Sequence, residues 1–202
     1  VYEIAQQAKR LPEIERFAAD APVFIAGSTW PPDEELLVGL IERYPDVKFI
    51  VAPHEIDPAR IEKFCERISR PALRYTQLTP QSDLAAAGVL FVDTIGILSS
   101  VYRYGRWGYI GGGFGAGIHN TLEAATFGLP LAFGPRYGKF REARDLVTLR
   151  GAASIASAEE LERWFAGLHD DPDATGRSGT ICKEYVLQHK GATARIMDEI
   201  CR

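Results

Sequence analysis

Five glycines fall within seven residues, at Gly111, Gly112, Gly113, Gly115 and Gly117, and His119, Asn120 and Glu123 follow them. Backbone without Cβ atoms can approach a ligand closely, and the free N–H groups where a helix starts attract an anion. A helix beginning near His119 puts His119 and Glu123 on one face, four residues apart. Such a start could aim a carboxylate at a ribose diol and an amide or imidazole at phosphate. The same residues also read as a cap, with Asn120 closing the helix and Glu123 completing a capping-box-like pair. The spacing satisfies GxGxxG in no frame, and GPRYGKF at 134–140 is not a Walker A loop because Phe140 follows Lys139. That argues against the two commonest nucleotide motifs.

Three other short stretches carry chemistry-bearing residues. Gly27, Ser28, Thr29 and Trp30 precede Pro31, Pro32 and an acidic run from Asp33. A glycine and two hydroxyls before a helix start suit a phosphate, although Ser28 or Thr29 equally end a strand and Asp33 equally serves as an N-cap. In Ala52 to Glu55, Pro53 and His54 follow an apolar run, which makes His54 either a ligand, an acid or a turn residue. HExxH is excluded because residue 58 is proline. In residues 133–145, Arg136, Lys139, Arg141 and Arg144 could hold a carboxylate or phosphate, or could simply solvate a helix.

The segments between these stretches alternate. Pro22–Ala26, Val47–Ala52, Gly88–Val92, Trp107–Ile110 and Leu129–Phe133 are short apolar runs of strand length, with a briefer extended piece at Leu73–Thr76 and another at Ala152–Ile155. Helical spacing marks Asp33–Tyr44, Pro58–Ser69, Ile97–Tyr104, Asn120–Phe127 and Arg141–Leu149. Past Ala152–Ile155 only helices are expected, over Ala158–Leu168, Gly179–His189 and Ala192–Cys201. The alternation predicts an α/β fold, a Rossmann-like doubly wound parallel sheet covered on both faces. In such a sheet ligands lie beyond the carboxyl ends of the strands, where all four stretches fall.

The 202 residues are 46% apolar and 25% charged with a net charge of −4, the composition of one soluble domain. Between Val101 and Arg150, however, seven basic residues face three acidic ones, and ten of the 19 glycines lie there. A local excess of positive charge in an acidic chain points to a bounded anionic ligand and away from nucleic acid. Charges scattered over a solvated surface are the plainer alternative. Cys65, Cys182 and Cys201 are too sparse for a disulfide framework or a CxxC metal site, which favours a reducing compartment. No apolar run reaches the roughly 18 residues of a membrane span, and the charged start of the chain is unlike a signal peptide. The one methionine is Met197 and residue 1 is Val, so we expect a piece of a longer protein.

AGSTWPPDEE, the strand ending in APH, VDTIGILSSVY, and GGGFGAGIHNTLEAATFGLPLAFGP followed by KFREA occur here in that order. Together they resemble the C-terminal half of the bacterial 3-deoxy-D-manno-octulosonic acid (Kdo) transferases, the lipid A glycosyltransferase family, over residues 22–150. The resemblance implies the C-terminal half of a GT-B glycosyltransferase, two Rossmann-like domains facing a cleft, with this half binding the donor CMP-Kdo. It implies Ser28 and Thr29, beside Gly27, near the donor phosphate. Pro53 and His54 fall near the cytosine, and Asn120 and Glu123, with Gly111, Gly112, Gly113 and His119, near phosphate and ribose. Family members often carry Arg between the Pro and His of the second stretch, Glu at the place of Ile97 and Asn at that of Lys139; Lys139 or Arg136 is left to supply the missing charge.

By the same resemblance the reaction transfers Kdo from CMP-Kdo to lipid IVA in lipopolysaccharide biosynthesis of a Gram-negative bacterium. No cofactor and no metal are expected. The acceptor groove, the general base and the attachment to the cytoplasmic face of the inner membrane are expected in an N-terminal domain outside this chain. The isolated 202 residues are then expected to bind donor without turning it over. The alternatives are another GT-B half, such as that of a UDP-sugar 2-epimerase, and a non-catalytic nucleotide-binding module.

Overall fold

The computed structural model describes residues 7–19 and 21–189. Its elements in chain order are α1 (Pro12–Phe17), β1 (Val23–Thr29), α2 (Pro31–Arg43), β2 (Lys48–Pro53), α3 (Pro58–Cys65), β3 (Ala72–Arg74), β4 (Val89–Phe91), α4 (Leu98–Val101) and β5 (Trp107–Ile110). They continue with α5 (Leu122–Thr126), β6 (Leu131–Phe133), α6 (Arg141–Leu149), β7 (Ala152–Ser154), α7 (Ala158–His169) and α8 (Pro172–Gln188). The seven strands form one parallel sheet in the order β3-β4-β2-β1-β5-β6-β7.

The two faces follow from the strands' period of two. In β1, Val23 and Ile25 turn to one face and Phe24 and Ala26 to the other. The first face carries α1, α5, α6 and α8 through Phe17, Ala125, Leu146 and Val186. The second carries α2, α3 and α7 through Leu40, Phe64 and Phe165. Strands buried on both sides read as apolar runs, which is why they were visible in the sequence. Lys48 is the exception at the start of β2: its buried Nζ donates to the carbonyls of Phe17 and Leu84, each at 2.9 Å. No helix among the described residues is long and apolar enough to cross a membrane.

Several element boundaries differ from expectation. Helix α2 starts at Pro31, two residues before Asp33, because Pro31 and Pro32 suit the first turn, whose N–H groups need no helical partner. Helix α8 is one helix of 17 residues from Pro172, longer than the expected Gly179–His189. The Asp171 carboxylate caps it by accepting from the amides of Asp173 and Ala174. Gly179 interrupts its apolar pattern for a packing reason: a Cβ there would lie 2.2 Å from the Gly128 carbonyl oxygen. The expected Ala192–Cys201 helix lies outside the described residues.

Candidate functional site

The strand order reverses between β1 and β5, which are neighbours although the chain leaves them toward opposite edges. A sheet opens a crevice at such a switch point. The loops that end β1 and β5 meet there. At the end of β1, Ser28 takes a left-handed φ of 54° and the register with β2 slips between Gly27 and Thr29. A left-handed serine is strained, and such strain collects at ligand sites. Gly111 allows the bend, since a Cβ on it would lie 2.2 Å from the Ser28 carbonyl oxygen.

Thr29 is placed differently from a phosphate ligand at a rim. It is fully buried, and its hydroxyl donates to Glu34 at 3.0 Å. Burial raises the Glu34 carboxyl above the ordinary carboxylate range, partly offset by Arg60, whose Nη2 lies 3.5 Å away, and by Thr29.

Asp33 joins the two loops. One oxygen of its buried carboxylate accepts from the amides of Trp30 and Gly112, each at 2.9 Å, and the other accepts from the Tyr109 hydroxyl at 2.6 Å. Asp33 is therefore the third residue of α2 reaching back to Trp30, which holds the N-cap position itself. Burial, with the adjacent Asp33 carboxylate, drives the Tyr109 phenol well above its usual range.

The glycine loop is a closed turn. The amides of Gly115 and Gly117 both donate to the Gly112 carbonyl, and the His119 amide donates to that of Gly111. Gly112 and Gly117 have φ of 92° and 143°, open only to glycine without strain. The amides of Gly111, Gly112, Gly115 and Gly117 already have protein partners, because the chain must turn on itself before reaching α5. Gly113 packs on Gly134, and Arg136 fastens the loop from that side, its amide on the Gly113 carbonyl at 2.9 Å and its Nη1 on the Gly115 carbonyl at 2.7 Å. Lys139 is exposed and makes no ion pair among the described residues.

His119 does not begin a helix. Helix α5 is only Leu122–Thr126, so His119 and Glu123 do not share a helical face. Instead the Asn120 side chain forms the turn: its oxygen accepts from the Leu122 amide at 3.0 Å and its amide donates to Glu123 at 3.1 Å. This is the capping alternative in a modified form, and it leaves Asn120 exposed with the Glu123 carboxylate oriented beside it.

His119 joins a ring cluster that the spacing could not show. Trp30 Nε1 donates to His119 Nε2 at 3.1 Å, and the exposed His54 ring stacks on Trp30 at 4.7 Å and on His119 at 4.2 Å between centroids. Burial lowers the His119 pKa and the neighbouring His54 lowers it further, against an opposing pull from Asp33. The Trp30 bond therefore meets a neutral imidazole whose accepting nitrogen is Nε2. Trp30, Pro32, Phe114, Ala116 and His119 bound a cavity of about 390 Å³ over the glycine loop. Pro53 is buried at the end of β2, and the amide of His54 donates to the Thr29 carbonyl at 2.9 Å, so this stretch borders the same crevice. Asp93, in the VDT stretch, is structural: it ties β4 to β3 by accepting from Arg74 at 2.9 Å and from the Thr76 amide at 2.8 Å.

A doubly wound parallel sheet with this switch point is the fold of the C-terminal domains of GT-B glycosyltransferases. The solved C-terminal CMP-Kdo binding domain of WaaA from Acinetobacter baumannii has the same fold, with a TM-score of 0.74 and 22% identity, over 93% of this chain and 97% of that one. Among curated proteins, the Kdo transferase of Chlamydophila psittaci is 25% identical over 182 residues, covering 89% of this chain and 41% of that protein. That of Rickettsia bellii is 29% identical over 184 residues, covering 88% and 43%. The chain is a relative of the 3-deoxy-D-manno-octulosonic acid transferases, and it spans about two fifths of the length of these two. No protein-family model matches it.

Proposed function

We propose that this chain is the donor-binding part of a Kdo transferase and binds CMP-Kdo across the crevice between β1 and β5. The observation that carries the reading is the Asn120–Glu123 pair, joined by one hydrogen bond directly after His119 within the HN..E stretch of the family resemblance. Glu123 offers a carboxylate to the ribose diol and Asn120 an amide to phosphate. Gly27, Ser28 and Gly113 border the phosphate, and Pro53 and His54 offer an edge to the cytosine. Thr29 acts indirectly, since its hydroxyl is committed to Glu34.

Breaking the bond from a ketosidic carbon to CMP builds negative charge on the departing phosphate, and fixed dipoles and cations directed at it lower the barrier. Arg136, already on the Gly115 carbonyl, and Lys139, three residues beyond it, are the cations offered to that phosphate. In the whole protein the acceptor is lipid IVA. A second domain supplies the acceptor groove, the general base and the attachment to the cytoplasmic face of the inner membrane. The 202 residues alone then bind donor without transferring it.

Calorimetric titration of the chain with CMP and with UDP tests the reading. CMP binding that is weakened by Glu123→Ala supports it. Binding of UDP alone points instead to another GT-B half, such as that of a UDP-sugar 2-epimerase. Unchanged affinity in Glu123→Ala favours a non-catalytic module or a purely structural pair, and Kdo transfer to lipid IVA by the chain alone removes the need for a second domain.

A further inference from the structure

Tyr102 is a buried phenol whose hydroxyl the fold does not use. It opens the 3₁₀ turn Tyr102–Tyr104 after α4, is 2% exposed, and its hydroxyl makes no hydrogen bond among the described residues. The other buried tyrosines among the described residues differ: Tyr109 donates to Asp33 and Tyr185 donates to Asp145. Buried polar groups are nearly always paired within the protein or by water, so a nearly buried hydroxyl with no protein partner is free to meet water or a ligand.

The position of the hydroxyl indicates which partner. A Cβ built on Gly27 would lie 1.9 Å from Tyr102 Oη, so the hydroxyl rests on the bare Cα of Gly27, next to the strained Ser28. Glu123 lies close enough to join burial in keeping the phenol protonated. Oη is not among the sealed unpartnered atoms, so the little of Tyr102 that solvent reaches includes its hydroxyl. A second orphan stands nearby in the chain: Thr121, between Asn120 and Leu122, is 1% exposed and its hydroxyl has no partner.

We propose that the Tyr102 hydroxyl is a ligand-binding group, donating a hydrogen bond to an oxygen of a nucleotide seated between Gly27 and Glu123. It rests on the nucleotide reading of the crevice and adds a contact from beneath the sheet edge, outside the loops. Gly27 is then glycine because any side chain would displace the hydroxyl. A protonated phenol suits the task, since it can donate to phosphate or to a ribose hydroxyl where a phenolate could not.

Tyr102→Phe removes the oxygen and keeps the ring in its apolar seat. Because that oxygen has no protein partner, the ligand-free Tm should be unchanged or higher, whereas nucleotide affinity should fall about tenfold. Wild type and variant are titrated calorimetrically with CMP and with UDP, and their thermal unfolding is followed without ligand. A tenfold loss for whichever nucleotide the wild type binds, at unchanged Tm, supports the assignment. Equal affinities overturn it while leaving the nucleotide reading intact, and a lower ligand-free Tm with equal affinity returns the hydroxyl to the fold. If the wild type binds UDP and not CMP, the CMP reading fails, and the variant's UDP affinity still decides the role of Tyr102. A wild type that binds neither nucleotide overturns both.

Discussion

The Asp33 carboxylate accepts the Gly112 amide at 2.9 Å, and through this bond the first turn of α2 holds the glycine loop that follows β5. Asp33→Ala leaves the Gly112 amide, the Trp30 amide and the Tyr109 hydroxyl without their acceptor in a site closed to water. The expected loss is about 3 kcal/mol or more, with Asp33→Asn less damaging because one acceptor oxygen survives. Urea unfolding gives the first number, and amide exchange at Gly112 should quicken in both variants. An unfolding midpoint equal to wild type would show that Asp33 does not hold the loop.

Some glycines need the space that a Cβ would fill, and others do not. A Cβ on Gly113 would lie 2.6 Å from the Gly134 backbone, so Gly113→Ala must force the two loops apart, at a cost of roughly 1–3 kcal/mol. Gly39, inside α2, has nothing within 4 Å of such a Cβ, and Gly39→Ala should stabilise the protein by about 1 kcal/mol. Thermal unfolding of the two variants should shift in opposite directions.

Two histidines should give stability opposite dependences on pH. His119 has a lowered pKa in the folded chain, chiefly through burial. Its contribution is complete above the unfolded value near 6.5 and fades as pH falls through the folded one, when protonation breaks the bond from Trp30. His169, bonded to Asp170 and Asp46, has a raised pKa, so its contribution is complete below the unfolded value and fades as pH rises through the folded one. Stability measured from pH 5 to 8 in His119→Gln and His169→Gln should lose the acid-side slope in the first and the opposing slope in the second. Identical profiles in wild type and variants would defeat both assignments.

Lys48 closes the end of the sheet away from the site. Lys48→Met keeps an unbranched apolar stem but leaves the Phe17 and Leu84 carbonyls without their ammonium donor. A loss of about 2–4 kcal/mol is expected, read from the denaturation midpoint. Nucleotide affinity should not change, because the site lies at the opposite ends of the strands.

Much of the fold was legible because its cause is local. Strands such as Val47–Ala52 and Trp107–Ile110 are buried on both faces and therefore apolar throughout, and the glycine loop announces itself by composition. Helix boundaries were less legible: α5 starts three residues after His119 because the chain first spends His119 and Asn120 on a turn. The use of Asp33 was read only as a possible cap, since nothing near it in sequence shows that Tyr109 and Gly112 lie across the sheet.

The sequence by itself determined the alternating α/β order, the four stretches at the strand ends and their resemblance to Kdo transferases, because burial and turn chemistry act between near neighbours in the chain. Only the tertiary structure decided which groups are free to meet a ligand. Thr29 and the amides of Gly111, Gly112, Gly115 and Gly117 are spent inside the protein, while Trp30, His54 and His119 gather into one stack and the Tyr102 hydroxyl is left without a protein partner over Gly27. The physical reason is that a polar group is available only when no other has claimed it: some claimants are near in sequence, as Glu34 is to Thr29, but others, such as Asp33 for Gly112 or His119 for Trp30, lie far along the chain and meet only in the folded sheet.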